Sequence, residues 1–239
     1  MQKIAHCPIL QNDYLEAIAR QLYDYWFVQF DFPDEDGKPY KSSGGKMVWN
    51  EKLKREIPEG WKSIFLGEMV DMYQPKTLSL KDLPTNGKYR IYGANGIVGR
   101  YEQYNHKDSE VAMACRGNSC GVVNRTMPYS WITSNAMVLK MKNPLYHNEF
   151  ILQNAKYINI AGSITGSGQP QLTRENLSTI VTICPNSKTL LGYSRLIKPI
   201  VDRELSVVDE LEGLLMYRES LLPLLMNGQV SVRLLNNHL

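Results

Sequence analysis

The stretch YRIYGANGIVGRYEQYN, residues 89–105, decides what kind of domain occupies the middle of this chain. Its glycines Gly93, Gly96 and Gly99 either hold the phosphates of a cofactor or let the chain turn between strands, because glycine reaches backbone conformations that other residues avoid. A dinucleotide site needs GxGxxG at the start of a helix, and a Walker loop ends in Lys-Ser or Lys-Thr. Here a strand-like segment follows instead. The stretch therefore predicts a turn formed by residues 94–96, and no cofactor site.

The bulk composition is that of an ordinary globular protein, with 239 residues of which 43% are hydrophobic and 21% are charged. The net charge of +3 is too small to imply nucleic acid by itself, so the distribution of positive charge matters more than its total. Four cysteines, Cys7, Cys115, Cys120 and Cys184, form no dense framework and predict reduced thiols in a cytoplasm. We find no signal peptide and no run of roughly 18 apolar residues, so we expect no membrane partner.

Residues 61–185 predict a mainly β domain with long loops, because short apolar runs alternate with glycine, proline and asparagine. The clearest strand-like runs cover residues 88–93, 110–117, 121–126 and 135–142. A short helix is expected to follow Thr173, whose side chain would serve as the N-cap. Helical patterns flank this domain on both sides, so the fold class that we predict is α+β.

Residues 12–27 predict an amphipathic helix on the N-terminal side, with Asn12 or Asp13 as its N-cap. Apolar side chains recur along one face of this helix at Leu15, Ile18, Leu22 and Tyr25. Residues 31–46 are rich in charges and turn-forming residues and predict a linker.

A long helical pattern follows residue 185 and carries two apolar series with heptad spacing. The first series is Val201, Val208, Leu215 and Leu222. The second is Ile197, Leu211 and Leu225, interrupted by Glu204 and Arg218. The pattern predicts a coiled-coil helix that Pro199 kinks or restarts and that Pro223 and Gly228 end. The alternative, a helix packed on its own domain, stays open at this point.

The terminal helix would reach roughly 50 Å at about 1.5 Å per residue, and the N-terminal helix would cover only about half of that length. An uncovered apolar stripe is an aggregation hazard in a soluble protein. We therefore expect a second copy of the chain, or another subunit, to cover the remainder.

Other motifs that suggest chemistry are weak. Cys115 and Cys120 lack the CxxC spacing of a zinc knuckle and have no second Cys/His pair to complete it. Either thiol could be paired with His106 or His147 as a nucleophile, but any chain with four of each residue offers such pairs. The sequence also contains no methyltransferase loop of the Asn-Pro-Pro-Tyr type, no metal-binding carboxylate cluster and no nuclease signature.

The polar residues of the middle domain suit DNA. Positive side chains crowd its first half at Lys76, Lys81, Lys88, Arg90, Arg100, Lys107, Arg116 and Arg125. Amides and a hydroxyl fall in predicted loops at Asn118, Ser119, Asn124, Asn135, Gln169 and Gln171. Cations would contact phosphates, while arginine suits guanine and the amides suit adenine. For each residue taken alone, a solvated loop position or a turn cap stays open as the alternative.

Several long motifs resemble the specificity subunits of type I restriction-modification systems. They are IPEGW (57–61), the YxxYGANGIVG pattern (89–99), ACRGNSCGVVN (114–124), WITSNAMVL (131–139) and SGQPQLTRENL (167–177). Residues 15–49 resemble the end of that family's central helical spacer and the linker beyond it. The resemblance covers nearly the whole chain.

The resemblance implies a non-catalytic DNA-reading subunit of a complex that cleaves DNA and methylates adenine. A full subunit of the family carries two target-recognition domains and two helices that form an antiparallel coiled coil. It docks methyltransferase subunits, which use S-adenosylmethionine, and motor-nuclease subunits join through them. No cofactor is implied for this chain itself.

This chain carries one recognition domain (58–185), with an N-terminal helix and linker before it (1–57) and a long helix after it (186–239). It therefore resembles a half-length form. Two copies related by a two-fold axis would rebuild a whole subunit and read a palindromic split site. We expect Arg116 and Gln169 above all to contact bases or phosphates. The alternatives are a coiled-coil scaffold with no DNA role and an enzyme that uses Cys115 or Cys120.

Overall fold

The computed structural model describes residues 8–76, 87–166 and 168–229. Its helices are α1 (Pro8–Tyr23), α2 (Leu66–Met69), α3 (Glu149–Asn154), α4 (Arg174–Ser178) and α5 (Ser187–Met226), with a π-helical turn at Asp24–Val28 and a 3-10 turn at Ala161–Ser163. Its strands are β1 (Met47–Asn50), β2 (Arg55–Pro58), β3 (Lys62–Phe65), β4 (Val70–Tyr73), β5 (Tyr89–Gly93), β6 (Gly96–Tyr101), β7 (Val111–Ala114), β8 (Val123–Arg125), β9 (Trp131–Ile132), β10 (Ala136–Met141), β11 (Ile164–Thr165), β12 (Gln171–Leu172) and β13 (Val181–Cys184).

The chain divides into two compact units. The larger comprises Arg20–Lys198, and the smaller is formed by Met1–Ala19 together with Pro199–Leu239. Helices α1 and α5 each begin in one unit and end in the other. Cys7 and Lys81 lie outside the described residues.

A four-stranded antiparallel sheet, in the order β4-β10-β7-β8, forms the centre of the larger unit. The inner strands β7 and β10 are continuous apolar runs and are buried along nearly their whole length, as expected for strands covered on both faces. A second sheet, in the order β6-β5-β9, packs against it through Tyr92, Ala112, Ile132, Ala136 and Val138. The predicted strands and the α+β fold class are confirmed.

The glycine-rich stretch forms the hairpin of β5 and β6, with Gly93 directly opposite Gly96. Gly96 has a φ of +96°, which is the left-handed position that the turn requires. Gly93 serves packing instead, because a Cβ placed there would lie 2.6 Å from the side chain of Val98. The turn interpretation is confirmed, although only Gly96 of residues 94–96 takes a positive φ.

Helix α1 begins earlier than predicted, with Pro8 at its first position, where a missing N–H costs nothing. Asn12 is therefore inside the helix and donates to Glu16 (3.1 Å) instead of capping it. The buried face also differs from the prediction. Ala19 and Tyr23 are buried, whereas Ile18 on the predicted face is exposed.

After α1 the chain turns through the π-helical segment, where buried aromatic side chains gather. Phe27 lies at the centre, with ring centroids 4.9 Å from those of both Phe150 and Tyr193 and 5.9 Å from Trp61. Phe150 and Tyr193 belong to α3 and α5, and Trp61 follows β2. The aromatic cluster therefore ties four separate segments of the larger unit together, with tilted and edge-to-face pairs that add to simple burial.

The predicted linker is an ordered loop. The carboxylate of Asp31 accepts from the backbone N–H (2.8 Å) and hydroxyl (2.7 Å) of Ser42, and Phe32 stacks on Tyr40 and Trp61. These bonds hold the pKa of the Asp31 carboxyl below its usual value. The β1–β2 hairpin follows this loop, at residues that were predicted to be the end of the linker and the start of the recognition domain.

Short elements complete the larger unit. Strand β13 returns to pair with β3, and α4 begins where predicted, since the hydroxyl of Thr173 accepts from the backbone N–H of Asn176 (3.2 Å). Helix α3 was not predicted. All six of its side chains are buried, so it has no amphipathic pattern to reveal it.

Helix α5 begins at Ser187, where the side chain of Asn186 accepts from the backbone N–H of Thr189 (2.9 Å). It runs through Pro199 without interruption, so the predicted restart there is wrong, and it continues three residues beyond Pro223. It ends in a Schellman arrangement. Gly228, at a φ of +66°, donates to the carbonyl of Leu225, and Gln229 donates to that of Leu224.

The apolar series of α5 changes its surroundings along the helix. Ile197, Val201 and Val207 are buried, and Val208 and Leu211 are half-buried. Exposed large apolar side chains dominate beyond them: Leu214, Leu215, Met216, Tyr217, Leu221, Leu222, Leu224, Leu225 and Met226. We call this set the distal stripe. In the same smaller unit, Gln11 of α1 accepts from Arg203 of α5 (3.2 Å), and α1 exposes Ile9, Leu10, Tyr14 and Ile18.

No helix in the described part of the chain is long and apolar enough to cross a bilayer.

Replacing Phe27 by alanine should destabilise the fold strongly. The side chain is 1% exposed, and its loss leaves a cavity among rings that cannot collapse, so we expect a loss of about 3–5 kcal/mol in the free energy of unfolding. Tyr25, two residues away and 38% exposed, is the matched control. Tyr25→Ala should cost less than about 1 kcal/mol in the same urea titration. Equal losses for the two variants would contradict a central role for the cluster.

Candidate nucleic-acid interface

One long segment of the larger unit is almost free of acidic residues. Residues 111–174 contain a single carboxylate, Glu149, against six cations: Arg116, Arg125, Lys140, Lys142, Lys156 and Arg174. Glu149 is 1% exposed and pairs with Arg125. The solvent-facing surface of this segment therefore presents no carboxylate, which favours a polyanionic partner.

Two loops of this segment are joined by backbone hydrogen bonds. Gly117 donates to the carbonyl of Pro170 (2.9 Å), Leu172 donates to that of Cys115 (3.0 Å), and Arg116 forms an antiparallel bridge with Gln171. The predicted residues of both loops therefore lie side by side: Arg116, Asn118, Ser119, Gln169 and Gln171. We call this set the paired loops.

Glycines and strands hold the paired loops in place. The first loop is the tight connection between β7 and β8, and it turns at Gly117 and Gly121, which have φ values of +77° and +92°. The second lies between β11 and β12. Apart from Ser119, which is half-buried, the predicted side chains of both loops are exposed. Side chains on loops fixed at both ends can be presented to a ligand with little loss of conformational entropy.

Lys76 approaches the same region through its neighbour Gln74. The amide of Gln74 donates to the carbonyl of Ser134 (3.3 Å) and to the sulfur of Cys115 (3.0 Å), one residue before Arg116. The chain therefore brings the exposed Lys76 towards the paired loops from the end of β4.

A second group of cations lies on the β5–β6 hairpin. Arg90 is directly opposite Arg100 in the antiparallel register, and the guanidinium of Arg100 donates to the carbonyl of Lys88 (2.9 Å). Directly opposite residues share one face of a sheet, where like charges repel.

Lys107 is exposed beside a short antiparallel contact between two loops. Its carbonyl accepts from the backbone N–H of Tyr129 (3.1 Å), and His106 exchanges two backbone hydrogen bonds of 3.0 Å with Ser130. The imidazole of His106 is enclosed between Tyr73 (3.0 Å) and Asn105 (2.6 Å), and burial lowers its pKa. His106 thus serves the interior of the domain, while Lys107 faces solvent.

The prediction for Arg125 needs a correction. Its side chain is only 12% exposed and forms an ion pair with buried Glu149, which also accepts from Gln153 (2.6 Å). The burial of Glu149 requires such a cation, since an uncompensated carboxylate in the interior would cost several kcal/mol. Arg125 is therefore engaged inside the domain and does not face DNA. Asn124, predicted in a loop, lies instead in β8 opposite Ala112.

The cysteines are placed as interior groups. Cys115 is fully buried and contacts the carbonyls of Ser134 and Asn135, and burial raises the pKa of its thiol. Burial also raises the pKa of Cys120. Both groups are therefore thiols at neutral pH, which is the opposite of an activated nucleophile. Among the described residues, no three His, Cys, Asp or Glu side chains come close enough to hold a metal ion.

Comparison with known proteins identifies the family of this chain. Residues 58–189 match the family described as "Type I restriction modification DNA specificity domain". The Type I restriction enzyme MjaIX specificity subunit of Methanocaldococcus jannaschii is 21% identical over 243 residues, covering 93% of this chain and 54% of that protein. The chain thus spans about half the length of the curated relative that it matches.

One solved structure shares the fold. The S subunit of a type I restriction-modification system from M. genitalium superposes with a TM-score of 0.58 at 18% identity, covering 90% of this chain and 56% of that chain. The HsdS subunit from Thermoanaerobacter tengcongensis gives a TM-score of 0.45 at 12% identity, over 86% of this chain and 48% of that chain.

The family match covers more than half of the chain and includes both paired loops and the β5–β6 hairpin. It confirms the resemblance that the motifs predicted. This chain therefore belongs to the family of type I restriction-modification DNA specificity domains.

Proposed function

We propose that this protein reads one half of a bipartite DNA target as the specificity subunit of a type I restriction-modification complex. The observation that carries the proposal is the pairing of the loop around Arg116 with the loop around Gln171, on a segment whose surface has no carboxylate. An acid-free surface accepts the phosphate backbone. Two adjacent loops can enter one groove together.

The lysines have one role in this proposal, and the arginine and amide side chains have another. Lys76, Lys88 and Lys107 position the domain on phosphates, since an ammonium group is a point charge with no fixed direction. Arg116, Gln169 and Gln171 read base edges, because guanidinium and amide groups can form paired hydrogen bonds to guanine and adenine.

The chain acts as a homodimer in this proposal. The support is the distal stripe, together with the exposed apolar side chains of α1, which in water would be costly to leave uncovered. Two copies that bury these surfaces about a two-fold axis would hold two identical recognition domains at a set distance. The target would then be a palindrome interrupted by a spacer.

Methyltransferase subunits dock on this dimer and supply the chemistry, with S-adenosylmethionine bound to them. Motor-nuclease subunits join through the methyltransferase. The chain itself contributes the choice of site.

The direct test is to co-express the chain with its methyltransferase subunits and to map methylated adenines across the host genome. We expect one split motif whose halves are inverted repeats. Methylation without any motif would contradict sequence reading. A motif with unrelated halves would contradict the homodimer alone.

Replacing Arg116 by alanine should weaken binding of the mapped duplex by the methyltransferase complex. The loss should be about 1–3 kcal/mol and should come with a relaxed preference at one base pair, since a bidentate guanine contact is removed. Arg195→Ala is the matched control, because Arg195 is exposed on α5, away from the loop segments. Its affinity should stay within about twofold of the wild type. Fluorescence anisotropy over a salt series measures the affinity of each variant for the duplex. Equal effects of the two substitutions would remove Arg116 from the interface.

Replacing Leu222 by glutamate should break the dimer. The side chain is 52% exposed within the distal stripe, and a buried carboxylate without a partner would oppose association. We expect sedimentation velocity to show about twice 27.3 kDa for the wild type and 27.3 kDa for Leu222→Glu. Leu145→Glu, at a 67% exposed loop position outside the stripe, should remain dimeric. A wild type that sediments as a monomer at high micromolar concentration contradicts the homodimer.

A further inference from the structure

Three tyrosine rings form a contiguous surface row beside the β5–β6 hairpin. Tyr104 stands between the other two, with its centroid 5.0 Å from that of Tyr89 and 5.2 Å from that of Tyr129, at interplanar angles of 70° and 87°. Tyr104 and Tyr129 are exposed, and Tyr89 is half-buried. We call these rings the tyrosine row. Aromatic faces left open to solvent can stack on a nucleobase.

The backbone at Tyr129 is in a conformation that a tyrosine disfavours. Its φ is +53°, in the left-handed region that a bulky side chain disfavours. Hydrogen bonds on both sides impose this conformation: Tyr129 donates to Lys107, and Ser130 donates to His106. Glycine would relieve the strain without disturbing these bonds.

Phe30 shows how such strain is usually offset. Its φ is +66°, but its ring is 4% exposed and packs edge-on against Trp61 with centroids 5.7 Å apart. Tyr129 has no comparable burial, since 45% of it is exposed. Burial of the Tyr129 ring therefore offsets less of the backbone strain than burial of the Phe30 ring does. Strained residues of this kind cluster at ligand sites.

Two lysines adjoin the tyrosine row. The ammonium group of Lys88 lies 5.3 Å from the centroid of Tyr89, and Lys107 is joined to Tyr129 through its carbonyl. Arg90 and Arg100 face each other on the adjoining hairpin. Aromatic faces interleaved with cations suit a base attached to its phosphate.

We propose that the tyrosine row is a stacking site for an unstacked base of the bound DNA. The inference rests on the proposed function and adds a ligand to it. Enzymes that methylate a base take it out of the duplex stack, which leaves its partner base unpaired and easier to unstack. The row receives such a base on the exposed face of Tyr129, with the ring of Tyr104 perpendicular to it, while Lys88 and Lys107 contact the adjoining phosphates.

The test uses the complete complex with its methyltransferase subunits and the mapped target duplex. In the probe duplex an abasic analogue replaces the methylated adenine, so that the opposite thymine is unpaired. Permanganate oxidises unstacked thymines, and a thymine stacked on a ring is shielded from it. For Tyr129→Gly we expect the reactivity of this thymine to rise about fivefold, and the affinity for the probe duplex to fall about tenfold. The affinity for a fully paired duplex of unrelated sequence, from which no base is taken out of the stack, should stay within about twofold.

Two controls separate stacking from folding. Tyr129→Phe keeps the ring and should match the wild type on both readouts, and Tyr129→Gly should melt at or above the wild-type temperature because the strain is relieved. Tyr104→Leu should repeat the permanganate result and provides the answer if Tyr129→Gly does not fold.

Three results would overturn the proposal. They are an unchanged thymine reactivity in both Tyr129→Gly and Tyr104→Leu, an equal loss of affinity for paired and probe duplexes, and a Tyr129→Phe variant as defective as Tyr129→Gly. A wild-type complex that fails to prefer the mapped duplex over random DNA would instead contradict the proposed function.

Discussion

The packing of Phe27 against Trp61, Phe150 and Tyr193 is the contact on which the larger unit depends. These rings come from the end of the N-terminal helical segment, the start of the β domain, α3 and the first turns of α5. Each ring buries a large apolar area and restricts the orientation of its neighbours. Segments that are far apart in sequence are therefore fixed relative to the same central ring.

Polar bonds around this cluster restrict it further. Asn154 donates to the hydroxyl of Tyr23 (3.0 Å) and accepts from Thr182 (2.8 Å), which belongs to β13. Tyr157 donates to the carboxylate of Asp24, and burial together with this bond raises the pKa of Tyr157 to about 12. The buried bonds of Asn154 favour one arrangement over alternatives with the same apolar contacts.

Local patterns in the sequence were sufficient for the hairpin, the buried strands of the central sheet and the α4 cap, because each of these depends on neighbours within a few residues. The buried face of α1 was not predictable in this way. The choice between the face of Ile18 and that of Ala19 and Tyr23 is made by tertiary packing. The helix does not restart at Pro199, because a proline in a long helix removes only one hydrogen bond, and packing elsewhere in the helix can offset that loss.

In the candidate interface as well, single residues were predictable from the sequence, but contacts between distant segments were not. Composition was enough to name Arg116 and Gln171, but the bridge between them joins residues more than fifty positions apart in the sequence. The sequence could not place Arg125, because it does not distinguish an arginine that neutralises a buried glutamate from one that contacts a phosphate. The tyrosine row went unnoticed for a similar reason, since Tyr89, Tyr104 and Tyr129 are not adjacent in the sequence.

The burial of Glu149 bears on how such a protein would find its target. With that carboxylate enclosed, residues 111–174 face solvent with cations and neutral groups only. A surface of this kind holds any stretch of DNA weakly, whatever its bases, and weak holding permits diffusion along the double helix between encounters. The search would then become one-dimensional over short distances, and its speed would depend on the ionic strength of the cell.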